Sequence, residues 1–477
     1  MTIEVRAGVA AAALALAGCA VGPDWQQPKV DTPPAWRIEY AQAVELANAR
    51  WWEGFGDPVL NQLVAESLQE NRDLVQAAAR VDQFLGALRA TRSQFYPQLS
   101  YSGAASRNRA SENSITALPP GSDRNYSLYE AALGASWQLD LFGRVRRQAE
   151  AAQAQVYASE QGRRGVVLSV VSATATAYIA LRALDRQLEI ARATEKNYLG
   201  SLQLFELRHK GGQVSELERS QVESQYRQAQ AAIPSFERQV AQQENLLSVL
   251  LGRNPGDIPR GRPIEQLADP VIPPGLPASL LERRPDVLQA EQNLRAANAG
   301  IGVAKSLYFP TLSLTGALGL SSTSLDNFAK SGSSTGSLVG ALVGPIFTFG
   351  AIEGQVASAE AAQREALGFY QSVVLNAFRD TNDALVGVQK TRAEYDALAK
   401  RAFSLRTYAK LSRSKYEGGA TSYIEVLYAE NELFAAELSA VASLAQRHAE
   451  LVNLYKALGG GWVEGVDPLA PAAKAKQ

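Results

Sequence analysis

The chain has 477 residues with a single cysteine, and its 47 Lys and Arg balance 48 Asp and Glu to a net charge of −1. One cysteine excludes a disulfide framework and a cysteine-based metal site, and balanced charge excludes the basic surface that nucleic-acid binding needs. His209 and His448 are the only histidines, and no nucleophile elbow, P-loop or dinucleotide fingerprint is present, so no catalytic or metal centre assembles from motifs.

Residues 1–18 read as a secretion signal. Arg6 precedes an Ala/Leu/Val run from Ala7 to Ala17 that is too short to span a bilayer permanently, and the run ends in Leu16-Ala17-Gly18-Cys19. Residues 19–57 are irregular and rich in Pro and Trp, with Gly22-Pro23-Asp24-Trp25, Pro33-Pro34 and Trp51-Trp52, and read as a tether over the outside of the body. Helical spacing then runs from Leu60 to about Phe95, and Pro97 stops it.

The period next changes to two. Leu99-Tyr101-Gly103-Ala105 alternates, as does either Leu128-Glu130-Ala132 or its out-of-phase neighbours Tyr129-Ala131-Leu133-Ala135-Trp137. Pro119-Pro120-Gly121 supplies a turn between them. The pattern predicts a β-hairpin over residues 98–139, with strands of about ten residues, enough to cross an outer membrane when tilted. From Arg144 to His209 there is no proline. That is about 66 residues, or roughly 100 Å of helix, a stave that has to run along neighbours like a coiled coil. Another helix is predicted from Val214 to Leu250, with a kink at Pro234 and a stop at Gly252. Residues 254–283 form a proline-rich linker.

The chain then repeats itself. Asp73-Leu74-Val75-Gln76-Ala77 returns as Asp286-Val287-Leu288-Gln289-Ala290, and Phe95-Tyr96-Pro97 as Tyr308-Phe309-Pro310. His209-Lys210-Gly211-Gly212 likewise returns as Tyr416-Glu417-Gly418-Gly419. The copies span residues 58–253 and 284–461, with a second hairpin over 311–349, a second stave from Ala351 to Tyr416 and a tail over 462–477. In each copy the two shorter helices together match one stave, so they are expected to stack end to end beside it. No apolar run of about twenty residues is read after the signal, so any membrane passage falls to strands. Two hairpins cannot close a barrel, so such a barrel requires several copies.

These features resemble the TolC-like outer membrane factors, in particular the OprM/NodT-type lipoproteins of RND efflux systems. The resemblance rests on Gly18-Cys19, Gly22-Pro23-Asp24-Trp25, Asp140-Leu141-Phe142-Gly143-Arg144, Arg284-Pro285-Asp286-Val287, Phe309-Pro310 and Tyr455-Lys456-Ala457-Leu458-Gly459-Gly460-Gly461. It implies a mainly α fold with a β-barrel part. In a homotrimer, four strands per subunit form a twelve-stranded transmembrane barrel continuous with a long antiparallel α-helical tunnel. It also implies cleavage before Cys19 and acylation of that residue, with no other cofactor. Ala20 and Val21, without an Asp, imply release to the outer membrane.

The implied partners are a periplasmic adaptor, an inner-membrane RND pump and outer membrane lipid, and the implied role is an exit duct for small molecules. Trp137 and Phe142 would lie near the membrane boundary or simply pack in the core. The family's periplasmic aperture maps to Glu425 and Glu218. Tyr428 stands where many members have a second Asp, and Thr421 where some have an Arg. Three copies of Glu425 would form a cation-favouring acidic ring, with Tyr416 hydrogen-bonding nearby to hold it shut. As plain surface chemistry, both glutamates are solvated helix-face charges. Gly211, Gly212, Gly418 and Gly419 are turn formers that the resemblance makes adaptor-contacting turns. A type I protein-secretion channel shares this architecture, and a periplasmic coiled-coil scaffold is the alternative of a different class. Met1 is the only methionine, so this chain has no methionine-based copper or silver site.

Overall fold

The computed structural model describes residues 20–28, 50–111, 121, 123–270 and 284–460. Cys19, the signal, most of the tether, the Pro119-Pro120 turn and the tail lie outside the described residues.

Helix α1 is Pro58–Glu70. Asp57 caps it by accepting the Val59 N–H at 2.8 Å, and Pro58 occupies the first helical position, where no N–H is needed. The single helix expected from Leu60 to Phe95 is in fact two. Asn71 is extended and its side-chain oxygen accepts the N–H groups of Asp73 and Leu74, which starts helix α2, Arg72–Ser93. A short polar side chain that competes for backbone N–H groups favours this kind of break. After strands β1 (Gln98–Arg109) and β2 (Asn125–Leu139) comes α3, Arg144–Lys210, a continuous 67 residues. The Asp140 carboxylate holds the start of α3 by accepting the N–H groups of Val145 and Arg146 at 3.0 and 2.9 Å.

Helix α4 follows, Glu216–Leu250, and stays helical through Pro234. The second copy is α5 (Pro285–Lys305), β3 (Thr311–Ser322), β4 (Ser334–Val343), α6 (Ala351–Glu417, again 67 residues) and α7 (Tyr423–Ala457). Strand β4 ends at Val343, short of the expected 349, because Gly344-Pro345 follows and proline cannot extend a ladder.

The chain divides into two compact units: residues 1–29, 80–160 and 289–370, and residues 30–79, 161–288 and 371–477. The first holds one antiparallel sheet in the order β1-β2-β3-β4. Its register aligns Tyr101, Leu133, Leu318 and Gly336 across all four strands. Since alternate residues share a face, one face carries Leu99, Tyr101, Tyr129, Leu133, Trp137, Leu312, Leu314, Leu318, Leu320, Leu338 and Leu342. The other is the more polar: it carries Ser100, Ser102, Ser106, Glu130, Ser136, Thr311, Ser313 and Thr315, along with Tyr126, Leu128, Val339 and Val343. The out-of-phase reading of β2 is therefore the one that belongs to the apolar face.

At the helix end of the sheet, Phe142 stacks on Phe309 at 4.7 Å and the Trp137 indole N–H donates to the Phe95 carbonyl at 3.0 Å. The N-terminal segment is pinned beside them. Val21 N–H donates to Phe142 O, and Arg147, largely buried, pairs with Asp24 at 2.7 Å. A Cβ on Gly22 would come within 2.4 Å of the Gly302 backbone, so the segment lies flat on α5 only because both residues are glycine.

The second unit is built around one apolar cluster that includes Leu60, Leu63, Tyr178, Ile179, Leu247, Leu251, Ile258, Leu385 and Leu451. Here the tether reading is corrected. Trp51, Trp52 and Phe55 are buried in this cluster, with Trp51 stacked on Tyr455 at 5.2 Å. Indole rings bury too much apolar area to lie on a surface when a core position is within reach.

The start of the linker is likewise strapped down. Buried Asp57 accepts the Tyr178 hydroxyl at 2.8 Å and the Arg262 N–H at 2.9 Å, while Ile258 and Ile264 enter the core. A second correction concerns α3, which does contain a stretch apolar and long enough to cross a membrane. Val170, Val171, Ala175, Tyr178, Ile179 and Leu181 in that stretch are buried against protein.

The end-to-end junctions of the short helices repeat. In the first copy the Asn71 side-chain amide donates to Leu250 O at 2.8 Å, joining the end of α4 to the start of α2. In the second, Arg284 donates to Ala457 O at 2.8 Å, joining the end of α7 to the start of α5.

Candidate functional site

The reversals after α3 and α6 are the same motif. Gly212 N–H donates to His209 O and Gln213 N–H to Arg208 O. In the second copy, Gly419 N–H donates to Tyr416 O and Ala420 N–H to Lys415 O. Both are Schellman closures that require a left-handed residue, supplied by Gly212 at φ 69° and Gly419 at φ 75°. Gly211 and Gly418 have ordinary negative φ.

The next helix starts differently in the two copies. Ser215 and Glu218 form a reciprocal capping box at the start of α4. The Ser215 hydroxyl accepts the Glu218 N–H, and the Glu218 carboxylate accepts the Ser215 N–H at 2.8 Å and its hydroxyl at 2.9 Å. Those hydrogen bonds hold the Glu218 carboxyl below its usual range. Neighbouring Glu216, paired to Arg219, is held at about 2. In α7 the cap residue Ser422 makes no side-chain cap bond, and Glu425 instead takes the Thr421 hydroxyl. Each expected aperture carboxylate is thus also a local helix-start group. Tyr428 is exposed, one helical turn beyond Glu425.

Arg208 Nη1, at the end of α3, donates to the Tyr416 hydroxyl at 2.6 Å. Tyr416 also meets Tyr423 edge-on at 4.9 Å, and Phe205 packs on Tyr423 at 4.3 Å. A small apolar cluster of Tyr198, Leu202, Phe205, Val222, Tyr226, Tyr423, Val426 and Leu427 supports them. Just above, Arg413 pairs with Glu430 at 2.6 Å. Sequence reasoning missed Arg208, Phe205 and Tyr423. Only the basic last turn of α3 hints at Arg208, and its partner lies 208 positions away. Within the described residues no group of three or more His, Cys, Asp or Glu side chains is placed to hold a metal ion.

The family model described as outer membrane efflux protein matches residues 63–253 and 276–460, nearly coinciding with the two copies. The chain belongs to the outer membrane efflux protein family. It is similar to the solvent efflux pump outer membrane protein SrpC of Pseudomonas putida, with 33% identity covering 94% of this chain and 97% of that protein. It is also similar to the probable outer membrane lipoprotein SilC of Salmonella typhimurium, at 32% identity over 94% and 97%. Among solved structures it resembles the open-state MtrE outer membrane channel of Neisseria gonorrhoeae, with TM-score 0.84, 29% identity and coverage of 93% and 99%. It resembles CusC at TM-score 0.82 and 30% identity, over 93% and 100%. This outer membrane efflux protein is therefore an outer membrane channel component of efflux, in a family of transport proteins rather than enzymes.

Proposed function

We propose that this outer membrane efflux protein acts as a homotrimer, in which twelve strands from three sheets close a transmembrane barrel over an α-helical tunnel. The observation that carries this reading is the two-faced sheet with unpaired β1 and β4 edges. Lipid tolerates neither open edges nor a polar outward face, and closure among copies removes both. The duct then receives small molecules from an inner-membrane RND pump through a periplasmic adaptor that meets the Gly211-Gly212 and Gly418-Gly419 turns. Relatives named for solvent and toluene efflux support a small-molecule cargo. Acylation at Cys19 would anchor the N-terminus beside Phe142, where Ala20 and Val21 are already fixed.

The gate lies at the same turns. Glu218 and Glu425 line an acidic aperture, and the Arg208–Tyr416 bond ties the first helical hairpin to the second and keeps the aperture narrow. Thr421 orients Glu425 through its hydroxyl, at the position where the family resemblance places an arginine in some members. The test is single-channel conductance in a planar bilayer, with wild type beside Glu218→Ala/Glu425→Ala and Tyr416→Phe. Small, cation-preferring wild-type currents should lose that preference in the double variant and grow in Tyr416→Phe. Unchanged selectivity and size in both would move the gate elsewhere.

A further inference from the structure

The apolar face of the sheet carries one chemical exception. Along β1 that face reads Leu99, Tyr101, Gly103, Ala105, Arg107, Arg109. Across the other strands it holds only apolar residues, tyrosine, tryptophan, glycine and, towards the turn end, Asn125, Ser127, Ser322 and Ser334. Arg107 and Arg109 are the only charged side chains on this face among the described strand residues, and no acidic residue shares it. They stand two residues apart at the end remote from the helices, opposite Ser127 and Asn125. Both are exposed, and neither makes an ion pair or side-chain hydrogen bond with a described residue.

We propose that Arg107 and Arg109 form a binding site for the phosphate groups of anionic glycolipid headgroups in the outer leaflet. The proposal rests on the membrane reading of the sheet given above. If the apolar face lies against acyl chains, the level where Leu and Tyr give way to Arg is the headgroup level on the far side. An arginine there needs a counter-charge, and the sheet offers none on that face. Guanidinium matches phosphate by parallel N–H donation, and two guanidinium groups on one strand face can grip one phosphate or bridge two. Ser127 and Asn125 add uncharged donors at the same level. The opposite face carries Glu130 instead, so positive charge is confined to the side that would meet lipid.

Native mass spectrometry of the full-length protein in detergent, offered diphosphoryl lipid A or phosphatidylcholine, tests the site. Wild type should retain lipid A preferentially. Arg107→Gln/Arg109→Gln should lose that preference by about tenfold or more, as expected when charge-assisted bonds are removed. Arg107→Lys/Arg109→Lys should keep part of it. Equal retention of lipid A by wild type and the Gln variant would overturn the proposal. So would complete competition by inorganic pyrophosphate, which would mean the site reads free phosphate rather than lipid. Planar-bilayer conductance of the Gln variant separates the two readings. Wild-type conductance with lost lipid preference supports the site, whereas absence of channels from wild type and from Tyr416→Phe alike would sink the membrane reading on which it stands.

Discussion

His448 shows what a single buried group does to this protein. It is 2% exposed, edge-on to Phe55 at 5.6 Å, with Nδ1 3.5 Å from Asp269 Oδ1. Burial pushes its pKa down to about 4, so it is neutral at pH 7. The unfolded chain binds the proton near pH 6.5 and the folded chain only near 4. The contribution of His448 to stability is therefore full above pH 6.5 and is lost as pH drops towards 4. Thermal melting by circular dichroism across that window should show the decline, and His448→Gln should flatten it. An equal slope in the variant would assign the pH dependence to other groups. The same scale explains why the candidate gate was only partly legible. Glu218, Glu425 and Tyr416 are reached by mapping the family resemblance onto the turns, whereas Arg208 is joined to Tyr416 by one hydrogen bond to a residue in the other copy.

The turns and junctions are governed at the scale of elements. Gly212 and Gly419 hold left-handed φ, and open space surrounds the place a methyl group would take, so alanine there meets a backbone penalty and no clash. Gly212→Ala and Gly419→Ala should each cost about 1 kcal/mol. Gly211→Ala and Gly418→Ala, at ordinary φ, should be close to neutral in the same melts, and equal losses at all four positions would contradict the Schellman assignment. The staves were readable because a long proline-free run at helical period has one low-energy answer. The break at Asn71 was not, because it depends on an amide that also reaches Leu250, 179 positions away. The duplication seen in sequence returns in space. Asn71 and Arg284 do one job, and so do Leu250 and Ala457.

For the whole molecule, the exposed apolar surface adds a second clue to the proposed assembly, beside the unpaired sheet edges. Ile346, Phe347 and Phe349, between β4 and α6, are 88%, 83% and 100% exposed. A patch of this kind marks an interface or a lipid contact. In the trimeric reading it is covered by a neighbouring copy, so Ile346→Asp/Phe347→Asp should reduce the trimer fraction in analytical ultracentrifugation by at least about tenfold. A trimer of undiminished stability would assign the patch to lipid instead.

By itself the sequence determined the duplicated unit, the two staves, the strand period and the turn glycines. All of these follow from local periodicity and from backbone rules that act within a few residues. Only the tertiary structure decided that Trp51 and Trp52 are core rather than tether, and that the apolar stretch of α3 is packed against protein. It also decided which phase of β2 shares the apolar face, that Arg107 and Arg109 end that face, and that Arg208 reaches Tyr416. Each depends on which distant segment supplies the neighbour, and burial and pairing belong to that neighbour as much as to the residue itself.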